Sequence, residues 1–188
     1  EVAPAAYTGP DATIFLGAVD DERGLFLAEY DDGQNSNAVF GGQDCRINEV
    51  NPDAASYIYF DIDDTFVPGE PGQQTAMIEI EVYVTEANTS VRLQYDALGS
   101  NYQLASTPVA FPKPNAWTTI RWFLDDAAFR NSQNGGADFR LNITKGKLAA
   151  VRRVSVFLPE DDTGRYLTAS PNPLGTSPSQ FSWSERLD

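Results

Sequence analysis

The chain has no histidine and a single cysteine, Cys45, among its 188 residues. Without histidine, Ser-His-Asp and Cys-His nucleophile systems and the usual histidine metal sites are excluded. A lone cysteine closes no internal disulfide and builds no cysteine–zinc site, so stability has to come from a buried core, with or without the help of a metal. Cys45 itself reads as a small buried residue. Cations are scarce: 13 Lys and Arg stand against 27 Asp and Glu, a formal charge of −14. That charge repels nucleic acid and anionic membranes at long range and argues against either as a main partner. No apolar run is long enough to cross a bilayer, so no membrane insertion is expected. Residues 1–6 offer neither a basic start nor an apolar core; an export signal has been removed or was never there.

What is present is β-structure. An apolar share of 41% with 12% aromatics suits one packed domain, and the length allows a substantial core. Residues 117–143 are the most explicit stretch. From Trp117 to Leu124 aromatic and β-branched residues dominate, with Ile120, Trp122 and Leu124 on one face and Trp122 therefore in the core. Asn134, Gly135 and Gly136 tolerate positive φ and predict a tight reversal. Phe139, Leu141 and Ile143 then point inward while Arg140 and Asn142 point outward. The two segments read as a strand pair around which a sandwich is built, with room at residues 125–131 for one helical turn.

The same period of two recurs along the chain. Residues 13–19 and 25–30 form two candidate strands able to pair across a charged turn. Tyr57, Tyr59, Asp61 and Asp63 alternate with Ile58, Phe60 and Ile62, leaving one face wholly apolar. Ile78, Ile80, Val82 and Val84 alternate with polar residues, as do Val91, Leu93 and Tyr95, and the short link at 86–89 predicts a hairpin between these strands. Residues 149–158 supply a last strong strand. Short strands separated by turns, with no convincing amphipathic helix, mean an all-β, antiparallel sandwich. Residues 1–158 are read as this domain; residues 159–188, rich in Ser, Thr, Pro and Gly, are read as a linker-like extension that includes Trp183.

Several strings carry a resemblance: residues 57–66, Leu93-Gln94-Tyr95-Asp96, residues 117–129, and above all Asn134-Gly135-Gly136-Ala137-Asp138-Phe139-Arg140 followed by Val151-Arg152-Arg153-Val154. Together, over roughly residues 25–158, they resemble noncatalytic carbohydrate-binding-module-like β-jelly-roll domains attached to bacterial polysaccharide-degrading enzymes. The resemblance implies a sandwich of jelly-roll type, a secreted or cell-surface setting, polysaccharide as partner, a tethered catalytic domain in the full-length protein, and structural calcium.

The binding residues are argued physically. Sugars are held by aromatic faces against C–H surfaces and by Arg, amide and carboxylate groups on hydroxyls. The outward positions supply Tyr83, Arg92, Gln94, Arg121 and Arg140, with Tyr102 near a turn; these six are the expected ligand-binding residues, on one exposed surface if their strands share a sheet. Arg92→Ala and Arg140→Ala are expected to weaken binding with little loss of stability. Residues 113–153 hold eight Lys and Arg against three acids, which inclines the expectation toward an acidic or sulfated glycan. Asp20-Asp21-Glu22, Asp31-Asp32, Asp61-Ile62-Asp63-Asp64 and Glu160-Asp161-Asp162 are acidic loops that could contribute calcium ligands. The expected function is noncatalytic polysaccharide binding. A small glycoside hydrolase using a carboxylate pair such as Glu79 and Glu81, a lyase using Tyr with Arg or Lys, and a cell-surface adhesion domain are the alternatives.

Overall fold

The computed structural model describes residues 9, 11–67, 74–105 and 111–159. Residues 1–6, most of the loop at 67–72, and the extension from residue 160 with Trp183 and its acidic start lie outside the described residues. Within them run β1 (Asp11–Phe15), β2 (Asp21–Arg23), β3 (Leu25–Ala28), β4 (Asn35–Phe40), β5 (Gln43–Asn48), β6 (Ser56–Ile62), β7 (Gln74–Val84), β8 (Val91–Ala97), β9 (Ser100–Leu104), β10 (Thr118–Ala127), β11 (Phe139–Ile143) and β12 (Ala149–Phe157). A single 3₁₀ turn, Asn134–Gly136, stands between β10 and β11.

Strand pairing follows the order β2-β1-β12-β7-β10-β8-β11-β6-β3, with the β4–β5 hairpin on β12 and β9 on β8. The link between β10 and β8 is one pair, Ala127 with Ala97, reached after a register shift beyond Leu124. The strands therefore divide there into a first sheet, β2-β1-β12-β7-β10, and a second, β9-β8-β11-β6-β3. Ile78, Ile80, Val82, Ile120, Trp122, Leu124, Val154 and Val156 from the first join Ile58, Phe60, Leu93, Phe139 and Leu141 from the second in one buried cluster. Alternation places one apolar row of each strand between the sheets and the other row outside. Trp122 is wholly buried, as its phase with Ile120 and Leu124 predicts, and Cys45 is buried too.

Three expected pairings are corrected. β10 and β11 do not pair: β10 runs beside β7 and β11 lies between β6 and β8. β7 and β8 form no hairpin, since β7 sits between β10 and β12. β1 pairs with β12 and β2, and β3 with β6; β1 meets the start of the β3 segment only at the isolated bridge Thr13 with Gly24. In each case the connection crosses from one sheet to the other instead of reversing within one, because facing apolar rows bury more than neighbouring rows on one face would. The expected helical turn at 125–131 is likewise absent: β10 continues to Ala127, after which Phe129 and Asn131 take φ of 44° and 57°.

The loop following β10 is pinned by buried carboxylates. Asp96 accepts from the Arg130 backbone N–H at 2.7 Å and from its guanidinium at 2.8 Å. Asp138, 1% exposed, accepts from the backbone N–H of Asn131 at 2.9 Å and of Ile62 at 3.0 Å. Such bonds satisfy backbone donors that a loop otherwise leaves without partners. Burial pushes the Asp138 carboxyl up to about 7 against the lowering pull of its two N–H donors. Burial, then the neighbouring Asp64 and Asp63 charges, push Asp61 up to about 6, and Asp61 Oδ1 is buried without a hydrogen-bond partner.

Both carboxyls thus hold protons more firmly in the folded chain than in the unfolded one. Their stabilisation is fully present below about pH 4 and is lost as pH rises through about 6 and 7. Urea midpoints are expected to fall between pH 5 and pH 8, and Asp61→Asn to shrink that fall. A midpoint that climbs over the same interval contradicts both assignments.

Candidate binding face on the second sheet

The outward row of the second sheet is set by register. Arg92 of β8 lies opposite Asn142 of β11, which lies opposite Tyr57 of β6; one step along, Gln94 lies opposite Arg140, which lies opposite Tyr59. β9, on the free edge of β8, adds Tyr102. Aromatic, amide and guanidinium groups are thereby gathered from four strands onto one surface, although Tyr57 and Tyr102 are 45 residues apart in the chain.

Arg140 is the hub. Its guanidinium carbon lies 3.8 Å from the Tyr57 ring centroid and 4.3 Å from that of Tyr102. Nε donates to Gln94 Oε1 at 2.9 Å and an Nη donates to the Tyr59 hydroxyl at 2.5 Å. Gln94 Oε1 also accepts from Asn142 at 3.3 Å. The Tyr59 hydroxyl donates to Asp32 at 2.9 Å and accepts from Asn134 Nδ2 at 3.2 Å; Tyr102 donates to Asn134 Oδ1 at 2.8 Å and accepts from the Asn134 N–H at 3.0 Å. Charge-assisted bonds and stacked cation–π contacts together lock the rings in place. Arg140, expected outside, is only 9% exposed, because its two flanking tyrosines and the loop cover it.

Two glycines permit this closeness. Gly135 holds φ of 71° and turns the loop so that Asn134 meets both tyrosines. A Cβ on Gly33 would stand 2.4 Å from Cδ2 of Tyr59, so only glycine lets the Asp31–Gln34 loop close over that ring. Tyr59 is wholly buried and burial pushes its phenol up to about 12, the Arg140 bond pulling the other way. It is a scaffold, neither within reach of a ligand nor disposed to act as a base near neutral pH. Tyr57, Gln94, Tyr102 and Asn142 remain partly exposed and Arg92 is exposed. Asp32, which the Tyr59 hydroxyl contacts, also lines a cleft of about 350 Å³.

Of the six expected residues, Arg92, Gln94, Tyr102 and Arg140 come together here. Tyr83 and Arg121 do not: β7 and β10 belong to the first sheet, so both side chains lie on the opposite surface of the sandwich. Tyr83 packs against Phe40 and Trp117, with ring centroids 5.4 Å and 5.5 Å apart, while Trp117 donates to the Phe40 carbonyl at 3.3 Å. These rings hold the β4–β5 hairpin. Arg121 pairs with Glu79 at 2.6 Å; Arg153 also pairs with Glu79, and Arg152 with Glu81. The carboxylates considered for a glycosidase pair are thus occupied by arginines.

Sequence reasoning passed over Tyr57 and Tyr59 as site residues, and considered Asp32 only as a possible calcium ligand. For the tyrosines a signal existed, two aromatic rings on the polar side of a strand whose other side was already fully apolar. For Asp32 the acidic loop was visible, but nothing in it pointed to the tyrosines. The acidic loops assemble no cation site among the described residues: no group of three His, Cys, Asp or Glu side chains is disposed to ligate a metal. Asp63 instead accepts from Thr65 at 2.8 Å and 2.6 Å, and Asp64 from Asn131 at 3.0 Å.

No protein-family model and no curated protein matches the chain. Among solved structures, a family 29 carbohydrate-binding module from Piromyces equi superposes with a TM-score of 0.50, covering 78% of this chain and 89% of that one at 9% identity. The chain has the fold of a carbohydrate-binding module. Weaker likenesses are to the CBM22-1 xylan-binding domain from Paenibacillus barcinonensis, with a TM-score of 0.47 at 8% identity over 88% of this chain and 100% of that one. A further one is the C-terminal CBM6 of a marine laminarinase from Zobellia galactanivorans, with a TM-score of 0.44 at 15% identity over 78% and 98%.

Arg140→Ala is expected to cost roughly 2–4 kcal/mol, the combined scale of a lost charge-assisted bond and two cation–π contacts. Arg92→Ala, on the exposed end of the same face, is expected to stay within about 0.5 kcal/mol of the parent. Denaturant titration of the two variants checks this; equal stabilities mean that Arg140 is not the hub.

Proposed function

We propose that this chain is a noncatalytic polysaccharide-binding module, with the outward face of the second sheet as its binding surface. The observation that carries the reading is the preorganised row of Tyr57, Arg140, Gln94 and Tyr102, bordered by the more exposed Arg92 and Asn142. Tyrosine faces offer apolar area to sugar C–H surfaces, while amide and guanidinium groups offer paired donors and acceptors to adjacent hydroxyls. Rings held by an internal network lose little freedom on binding, which favours affinity. The likeness to a carbohydrate-binding module in fold supports the same conclusion.

The setting is part of the proposal. The Ser, Thr, Pro and Gly content of residues 160–188 supports a tether to a catalytic domain, in a secreted or cell-surface bacterial protein that processes polysaccharide. Calcium is proposed as a structural ligand on the acidic loops of the sequence alone. Melts in chelator and in millimolar calcium that superimpose remove it.

Affinity electrophoresis across neutral, uronic and sulfated polysaccharides, with product analysis on the same samples, tests the function. Retardation by at least one polysaccharide without new reducing ends or unsaturated products is expected. Tyr57→Ala is expected to weaken that retardation about tenfold or more, the scale of a lost aromatic platform. Product release, or indifference of every polysaccharide, overturns the proposal.

A further inference from the structure

Most of the basic stretch at residues 113–153 is neutralised within the molecule. Six of its eight Lys and Arg side chains have a carboxylate within 4.0 Å: Arg121 and Arg153 have Glu79, Arg130 has Asp96, Arg140 has Asp32, Lys147 has Glu86 and Arg152 has Glu81. The cation band legible in the sequence is therefore no anion-binding surface. On the side of the tyrosine network where Asp32 stands, the sign reverses. The adjoining cleft of about 350 Å³ is walled by Asp31, Asp32, Gln34, Glu49, Asn51 and Ser56, with Pro52 among its lining.

Asp32 belongs to both regions. Oδ1 takes the Tyr59 hydroxyl at 2.9 Å and Oδ2 lies 3.9 Å from Arg140, so the network that orders the tyrosines also sets one wall of the cleft. Asp31, Asp32 and Glu49 are all exposed side chains, and of the three only Asp32 is tied into the tyrosine network. A carboxylate is an acceptor only, able to take two neighbouring hydroxyls, and it repels another carboxylate or a sulfate at short range.

We propose that the acid-walled cleft is a continuation of the glycan site and restricts it to uncharged polysaccharides, whose hydroxyls Asp31, Glu49 and Gln34 receive. The inference rests on the polysaccharide-binding reading and adds to it a second region of contact and a ligand class. A charged glycan that met Arg92 at one end of the face would have to pass three carboxylates at the other.

The test is affinity electrophoresis of the whole chain at low ionic strength. Xylan, laminarin and hydroxyethylcellulose serve as neutral probes, and polygalacturonate and dextran sulfate as anionic ones. The parent is expected to be retarded by at least one neutral probe and by neither anionic one. Asp31→Ala with Glu49→Ala is expected to weaken neutral binding about tenfold, the scale of lost charge-assisted bonds to hydroxyls. Asp31→Lys with Glu49→Lys is expected to bring on retardation by polygalacturonate. All four substitutions replace exposed side chains, and unchanged melting temperatures verify that the variants fold.

If the double alanine variant binds the neutral probe like the parent while Tyr57→Ala does not, the cleft is no part of the site and polysaccharide binding still stands. Retardation of the parent by polygalacturonate overturns the restriction to uncharged chains while leaving polysaccharide binding intact. If no probe in the wider panel is bound, the functional reading fails and this inference with it.

Discussion

Closing two apolar rows on each other is the demand to which this structure answers. No disulfide is available, and the wholly buried side chains, from Trp122 in the first sheet to Phe60 and Phe139 in the second, supply the principal favourable term. Strands alternate, so committing one row of each to the interior leaves an equal row outside with no packing duty. On the first sheet that outer row is used for ion pairs and for seating the β4–β5 hairpin. On the second it is used for tyrosines, amides and Arg140. The functional face is in this sense the residue of the folding problem: positions that burial leaves open and chemistry then occupies.

The face is ordered from beneath and beside. Asp138 and Asp96 hold the loop that follows β10; that loop presents Asn134; Asn134 joins the hydroxyls of Tyr59 and Tyr102; and the two tyrosines with Tyr57 enclose Arg140. The links form one connected network, so displacement of one group is felt by the rest. Binding surfaces need this kind of support because rings left to rotate lose entropy when a ligand fixes them. Arg140 accordingly serves less as a contact for ligand than as the cation that holds its neighbouring rings in place.

Charge tells a similar story of proximity. In linear sequence the cations cluster late in the chain and the acids dominate elsewhere, which suggests a basic patch. Folding lays β12 and β10 on either side of β7, so Arg121, Arg152 and Arg153 come against Glu79 and Glu81. The patch vanishes into cross-strand pairs. Beside the second sheet, Asp31, Asp32 and Glu49 stand exposed around one cleft, so the local sign there is negative.

The alternation of Ile78, Ile80 and Val82, of Phe139, Leu141 and Ile143, and of Ile58 and Phe60 was legible before any fold was known, because which side a strand residue faces depends only on its neighbours along the chain. The all-β class, the core and the outward placement of Arg92, Gln94 and Asn142 all followed from that local rule. Which strand lies beside which did not. β7 and β8 carry the same period and a short link whether they pair or part, and β10 and β11 carry a turn-forming glycine pair that serves a crossing loop as well as a hairpin. Partner choice is decided by the burial of whole sheets, a property of all the strands together. Hence the separation of Tyr83 and Arg121 from the other four residues, the recruitment of Asp32 and Asn134 to the tyrosines, and the burial of Arg140 were settled only in three dimensions.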